Sequence, residues 1–349
     1  MFKRKRVSAI LTAGLLAVVT LAACGGSDDE VATGAANAAG ETKVRLLLAA
    51  DTTGFADAIT AKSAGYFEKN GLNVEFLPYI ANSGTQVQAA VTGDTDIVGG
   101  AISALFFGTA SDRDVVAVAR ASNTQNGVLL ANSDFVKAQE AKGVTQASSV
   151  EERIKALEGA KFGVASRGPG SEASLRALLL HYKVPFGENS FVALGSPAGL
   201  DSGLKAKRVD AIYTGLPGGL NPVKNDYGAI WLGPADYAQT GAWDAGNIAY
   251  MAAGPWAEQN RETVKKFLAS LDEARQLLAD DPSKAAETYL TFSPKNDAAL
   301  VKESFEMIKA NYEGDAKMTE NYFAKNKAIY DISSDKPSAL TFADGVWTE

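Results

Sequence analysis

Two short stretches of this chain hold the residue types that bind small acids without needing many charges. Asn82-Ser83-Gly84-Thr85 and Ser166-Arg167-Gly168-Pro169-Gly170-Ser171 each stand just before a run with helical spacing. A helix start presents unpaired backbone N–H groups and the positive end of its dipole, which suit an anion. Glycine lets the backbone approach a ligand, and serine adds a hydroxyl. Ser83, Gly84, Thr85, Gly170 and Ser171 are therefore candidate ligand contacts; the alternative for Ser83 and Ser171 is plain N-capping. Arg167 either pairs bidentately with a ligand acid or stays a solvent-facing loop charge. Asp51 and Thr52 close the first apolar run, where Asp51 accepts from a ligand donor or caps the following helix. Phe55, Tyr213 and Trp243, with Thr214 beside the second, lie on or near loops; such aromatics stack on an organic ligand or pack in a core. Ser103, opening the helix after the third strand, joins the candidates. Arg120 is a ligand contact or a structural ion pair.

Chemistry beyond binding lacks its constellations. The lone His181 sits in the helical pattern Leu178-Leu179-Leu180-His181-Tyr182, and a zinc site needs several ligands at matched spacing. No Gly-x-Ser-x-Gly elbow, Walker loop or Rossmann glycine fingerprint follows a strand. The expectation is a binding protein rather than an enzyme, with no metal and no cofactor.

Cys24 is the single cysteine of 349 residues. It follows a basic start (Lys3 to Arg6), an apolar run from Val7 to Leu21, and the small pair Ala22-Ala23. That order describes an export signal. Leu21-Ala22-Ala23-Cys24 resembles the bacterial lipobox, which implies cleavage before Cys24 and thioether lipidation of its sulfur. Residues 1–23 then form a signal peptide. Residues 24–42, small and polar without apolar periodicity, form a flexible tether on the outer face of the cell membrane, palmitate and related acyl chains supplying the anchor. No other apolar run approaches the roughly 20 residues a spanning helix needs.

Four of the 34 Lys and Arg belong to the leader, which leaves 30 against 41 acidic residues and a net charge near −11. That balance argues against nucleic acid as a partner. About 305 residues remain from Lys43 onward, a length that suggests two domains. Apolar strand runs alternate with helical patterns: Val44–Ala50, then a helix over 55–70, a strand over 73–79, and so on to Asn247–Ala253, after which the chain is mostly helical. Such alternation predicts βαβ units and parallel sheets. Gly93-Asp94-Thr95-Asp96-Ile97 and Lys207-Arg208-Val209-Asp210-Ala211 echo one another, each placing a helix end, a turn, an Asp and a strand in that order. Two lobes built to one plan, with a cleft at the carboxyl ends of their strands, follow.

Three segments carry a family resemblance. Ala61-Lys62-Ser63-Ala64-Gly65-Tyr66-Phe67-Glu68-Lys69-Asn70-Gly71-Leu72-Asn73-Val74-Glu75, then Gly93 to Ile97, then Lys161-Phe162-Gly163-Val164-Ala165 with Gly170-Ser171 resemble, in order, signatures of the nitrate, sulfonate, taurine and thiamine-pyrimidine binding proteins of ABC importers. The resemblance implies an α/β, two-lobed periplasmic-binding-protein fold of type II, its two parallel-sheet-rich domains joined by a hinge. Residues 43–122 and 247–349 would form lobe 1 and 126–244 lobe 2. It also implies capture of a small molecule and delivery to an ABC permease and its ATPase. The family's Trp-Glu-Pro is replaced here by Tyr213-Thr214-Gly215-Leu216-Pro217, so no particular ligand carries over. The helix starts and Arg167 point to a small organic anion. A neutral or cationic heterocycle, such as a thiamine pyrimidine precursor with Asp51 as its partner, is the alternative, as is coupling to a sensor kinase.

Overall fold

The structure is a computed structural model; it describes residues 40–109, 114–168, 170–334 and 336–349. The leader, Cys24 and nearly all of the expected tether lie outside the described residues. Thr42, the last residue assigned to the tether, is already in the first strand and donates its N–H to Gly71 O at 2.9 Å. Among the described residues no helix is long and apolar enough to cross a membrane.

Among the described residues ten strands form two five-stranded sheets. The first, in the order β2-β1-β3-β10-β4, is built from β1 (Thr42–Leu48), β2 (Leu72–Leu77), β3 (Ile97–Ala101), β4 (Val115–Arg120) and β10 (Ile248–Ala253). The second, in the order β7-β6-β8-β5-β9, is built from β5 (Gly127–Asn132), β6 (Phe162–Val164), β7 (Phe191–Ala193), β8 (Ala211–Gly215) and β9 (Gly228–Leu232). The expectation of parallel sheets needs correcting at one strand in each. β10 runs antiparallel to β3 and β4, and β5 antiparallel to β8 and β9. The cause is topological. β5 is the strand by which the chain enters the second sheet, and β10 the one by which it returns to the first. Both therefore start at the junction between the sheets, where β1, β3 and β8 end.

The echoed Asp residues have a common physical role. The Asp96 carboxylate accepts the Arg45 N–H at 2.7 Å and the Arg45 guanidinium at 2.7 and 3.2 Å. Asp210 likewise accepts the Lys161 N–H at 2.8 Å. Each carboxylate stands one residue before its strand and clamps the neighbouring strand one residue before their first pair, Leu46 with Ile97 and Phe162 with Ala211. These clamps set register at the far end of the strands that deliver residues to the junction.

The helix expected over 55–70 is broken into a 3-10 turn Thr53–Phe55 and helices Ala56–Ser63 and Tyr66–Lys69. Gly65 adopts φ 73°, a conformation that costs glycine little and ends a right-handed helix. A helix Ser133–Glu140 that the sequence pattern had not indicated begins at Asn132, whose side chain accepts from Phe135 N.

One carboxylic acid is buried completely beside the first sheet. Asp57 is 0% exposed. Its Oδ1 accepts from Tyr250 OH at 2.6 Å and from Ala58 N at 2.9 Å, while Oδ2 has no partner. Tyr312, Tyr322 and Arg275 are among the other polar and charged groups nearby. Burial pushes the Asp57 carboxyl up to about 7, against the bond from Tyr250 and the Arg275 charge, which lower it. An acid whose folded pKa is raised keeps its proton in the native state over a range where the unfolded chain has lost it. Stability should therefore fall as pH rises from about 4 through about 7 and level off above that. Melting curves across that range should show the decline in the native protein and its absence in Asp57→Asn; an unchanged slope in the variant would assign it to other groups.

Candidate functional site

The ends of β1, β3 and β8 and the starts of β5 and β10 converge on a cavity of about 160 Å³. Ala49, Ala101 and Gly215 come from or just beyond the first group, Gly127 and Ile248 from the second. Three helices point their amino ends at it: Ser83–Val91, Ser171–His181 and Pro197–Lys205. Phe55, Leu200, Pro197 and Ile248 are among its apolar lining residues, and none of its lining residues is charged.

Thr52, Phe55, Ser83, Gly170, Ser171, Tyr213 and Thr214 all line this cavity. The capping alternatives resolve in favour of their neighbours. Asn82 caps the first helix, its Oδ1 accepting from Thr85 N at 2.9 Å and from Thr85 Oγ1 at 3.2 Å. Thr85 is thereby exposed, and neither it nor Gly84 is among the lining residues. Gly170, with no side-chain cap bond, occupies the cap position of Ser171–His181. Ser103 lies behind the cavity wall, its Oγ accepting from Gly170 N at 3.2 Å.

Two expectations, Arg167 and Asp51, need correcting, and two open alternatives, Trp243 and Arg120, resolve to packing and to a structural contact. Arg167 does not line the cavity. Its Nε donates to Glu172 at 2.7 Å and its Nη2 to Glu188 at 2.9 Å, and the Glu172 bond leads in raising its pKa. The buried Glu172 also accepts from Gly168 N at 3.0 Å, so this pair holds the loop rather than meeting a ligand. Asp51 neither caps nor lines; it accepts from Tyr289 OH and from Ser293 Oγ, fastening the helix Pro282–Phe292 to the first strand's end. Trp243 is fully buried and donates its indole N–H to Ser174 O at 3.0 Å. Arg120 donates to Asp315 O at 3.0 Å, a structural contact.

Asn126, Asn247 and Pro197, which the sequence pattern had not singled out, also line the cavity. Asn126 and Asn247 stand at the two crossings between the sheets, and Pro197 opens a third helix start capped by Ser196. The available signal was the pairing of an Asn with each crossing and the Ser196-Pro197 cap pattern. The wall is joined across the two sheets by Thr53 N donating to Leu216 O at 2.8 Å. Gly215 faces Thr52 so closely that an added Cβ would lie 2.7 Å from Thr52 Cβ, which only glycine avoids.

A polar inventory decides what the cavity can recognise. Asn126 is fully used: Nδ2 donates to Thr53 O and Tyr312 OH, and Oδ1 accepts from Asn311 at 2.6 Å. Tyr213 OH donates to Gln125 Oε1 at 2.5 Å, and burial pushes its pKa up. Asn247 Nδ2 donates to Ser174 Oγ at 3.1 Å. The oxygens of Thr52, Ser83 and Ser171 accept the N–H of Gly54, Ala101 and Ala165 at 3.3, 3.2 and 3.4 Å. A hydroxyl that accepts a backbone N–H still has its own hydrogen to give. With the Thr214 hydroxyl and the first-turn N–H groups of Ser171–His181, the polar surplus is mainly donors.

The chain belongs to the NMT1/THI5-like family, whose model matches residues 52–285. No curated protein sequence matches it. Among solved structures it is similar to the ligand-binding component of an ABC-type import system from Staphylococcus aureus, with 14% identity, a TM-score of 0.69, and 87% of this chain and 96% of that one covered. It is similar to the periplasmic aliphatic sulphonate binding protein SsuA from Escherichia coli, with 16% identity, a TM-score of 0.62, and 83% and 91% covered. The periplasmic nitrate-binding protein NrtA from Synechocystis PCC 6803 gives 19% identity, a TM-score of 0.60, and 76% and 70% covered. At these identities the likeness is one of fold, the two-lobed α/β fold of periplasmic binding proteins.

Proposed function

We propose that this chain is an extracytoplasmic solute-binding lipoprotein of an ABC importer, capturing a small organic anion, a sulfonate or carboxylate, between its two lobes and delivering it to a membrane permease. The observation that carries the ligand class is the donor surplus in an uncharged cavity. Hydroxyls of Thr52, Ser83, Ser171 and Thr214, with the start of Ser171–His181, match an acceptor head group. Phe55, Leu200, Pro197 and Ile248 match an apolar body, each buried methylene contributing about 0.8 kcal/mol. The named roles of the structural neighbours, import, sulphonate binding and nitrate binding, agree with this reading. The lobe division at the crossings near 122–126 and 244–247 and the lipid anchor at Cys24 complete it, the latter on the strength of the leader pattern.

The uncharged lining also favours a second reading, a neutral heterocycle. A cationic ligand is disfavoured, because Asp51 is held by Tyr289 and Ser293.

A ligand that binds only the folded protein raises its stability by about 2.7 kcal/mol at a hundredfold excess over Kd. Thermal-shift screening with alkanesulfonates, carboxylates and pyrimidines should give hits among the acids. Ser171→Ala and Thr214→Val should weaken them about tenfold each, a lost hydrogen bond of about 1.4 kcal/mol, while Arg167→Ala should weaken them less than either, because Glu172 still holds Gly168. Stabilisation by pyrimidines alone would overturn the anion reading.

A further inference from the structure

Behind the cavity lies a second compartment of about 10 Å³, room for a single water. Besides Asn247, its polar lining residues are Ser103, Gln125, Ser174, Asn326 and Tyr330. Two residues, Ala101 and Asn247, line both this compartment and the main cavity. They stand in the partition between the two. Ala101 contributes only a methyl group, so the partition's bulk is the Asn247 side chain. The residue is held at its backbone and at its side chain. Its backbone oxygen accepts the Ile102 N–H at 2.9 Å, and its amide donates to Ser174 Oγ at 3.1 Å on the helix that offers its start to the cavity. Ser103 accepting from Gly170 N at 3.2 Å closes the same seam one turn of that helix earlier.

We propose that Asn247 sets the upper size limit of the ligand by walling the cavity off from this polar compartment. The inference rests on the reading of the cavity as the solute site. A ligand that grows toward the partition meets the bulk of the Asn247 side chain, on a backbone pinned through the Ile102 N–H. Truncation to alanine removes the amide and joins the two spaces. The new space has hydroxyl and amide walls, so it accepts a ligand extension best when that extension ends in a hydroxyl.

Calorimetric titration of the native protein, Asn247→Ala and Ser174→Ala with straight-chain alkanesulfonates and alkanecarboxylates of graded length, each with its ω-hydroxy counterpart, tests this. Ser174→Ala removes the partner of the amide but keeps the bulk of Asn247. In Asn247→Ala the longest well-bound member should lengthen by about two carbons, with the preference for long over short members changing roughly fourfold per methylene admitted. Ser174→Ala should weaken all members alike and keep the native length profile. Should Asn247→Ala fold poorly, Asn247→Ser should show a smaller shift in the same direction. A native length profile in Asn247→Ala or Asn247→Ser overturns the inference and leaves the solute-site reading intact. So does a lengthened profile in Ser174→Ala, which would assign the limit to the hydrogen bond rather than to bulk. No binding of either series to any of these proteins overturns the organic-anion reading, and this inference with it.

Discussion

Everything at the cavity depends on register, and register in each sheet is held by one carboxylate on a neighbouring strand's N–H. Asp96 clamps Arg45 ahead of β3, and Asp210 clamps Lys161 ahead of β8. Side chains alternate along a strand, so a slip of one residue would turn every cavity-facing group of that strand to the opposite face. β3 delivers Ala101 and β8 delivers Tyr213, Thr214 and Gly215. A bond to a charged group contributes about 1.5–3 kcal/mol, and here it acts where the alternative registers are decided.

The second constraint is electrical. An ion transferred to a dry site without a partner costs several kcal/mol, so a cavity that takes an anion must supply donors or charge. This one supplies donors. The nearest cluster of charges, Arg167, Arg176, Glu172 and Glu188, pairs within itself. Its effect on the cavity is mechanical: Glu172 fixes Gly168 and Arg167, and the loop so held presents Gly170 and Ser171. The same economy appears at the crossings, where Asn126 ties Thr53 to Tyr312 and Asn247 ties β10's start to Ser174. The residues that join the two sheets are thus also residues of the cavity wall.

Much of this was legible in the sequence, and the misses have physical causes. The two strand sets showed because apolar runs and helical spacing are local signals. The glycine-serine helix starts showed for the same reason, and both reach the cavity. The Asp96 and Asp210 echo was visible as a pattern, though its role as a strand clamp needed the pairing partner. Reversal of β5 and β10 could not be read locally, because direction depends on which edge a crossing chain arrives at. Asp51 misled because its partners Tyr289 and Ser293 lie 238 and 242 residues away, and Arg167 because Glu172, 5 residues on, and Glu188, 21 on, take the donors a ligand would use. Asn82 outcompeted Ser83 for the cap, a choice between adjacent residues of similar propensity.

The central claim is that an acceptor head group is held by neutral donors at the start of Ser171–His181. The most direct measurement is a crystal structure of the protein with the sulfonate or carboxylate that stabilises it best. The account predicts the acid's oxygens within hydrogen-bonding distance of the Ser83, Ser171 or Thr214 hydroxyls, with the Arg167–Glu172 pair intact. An acid group seated on Arg167, with Glu172 displaced, would contradict it.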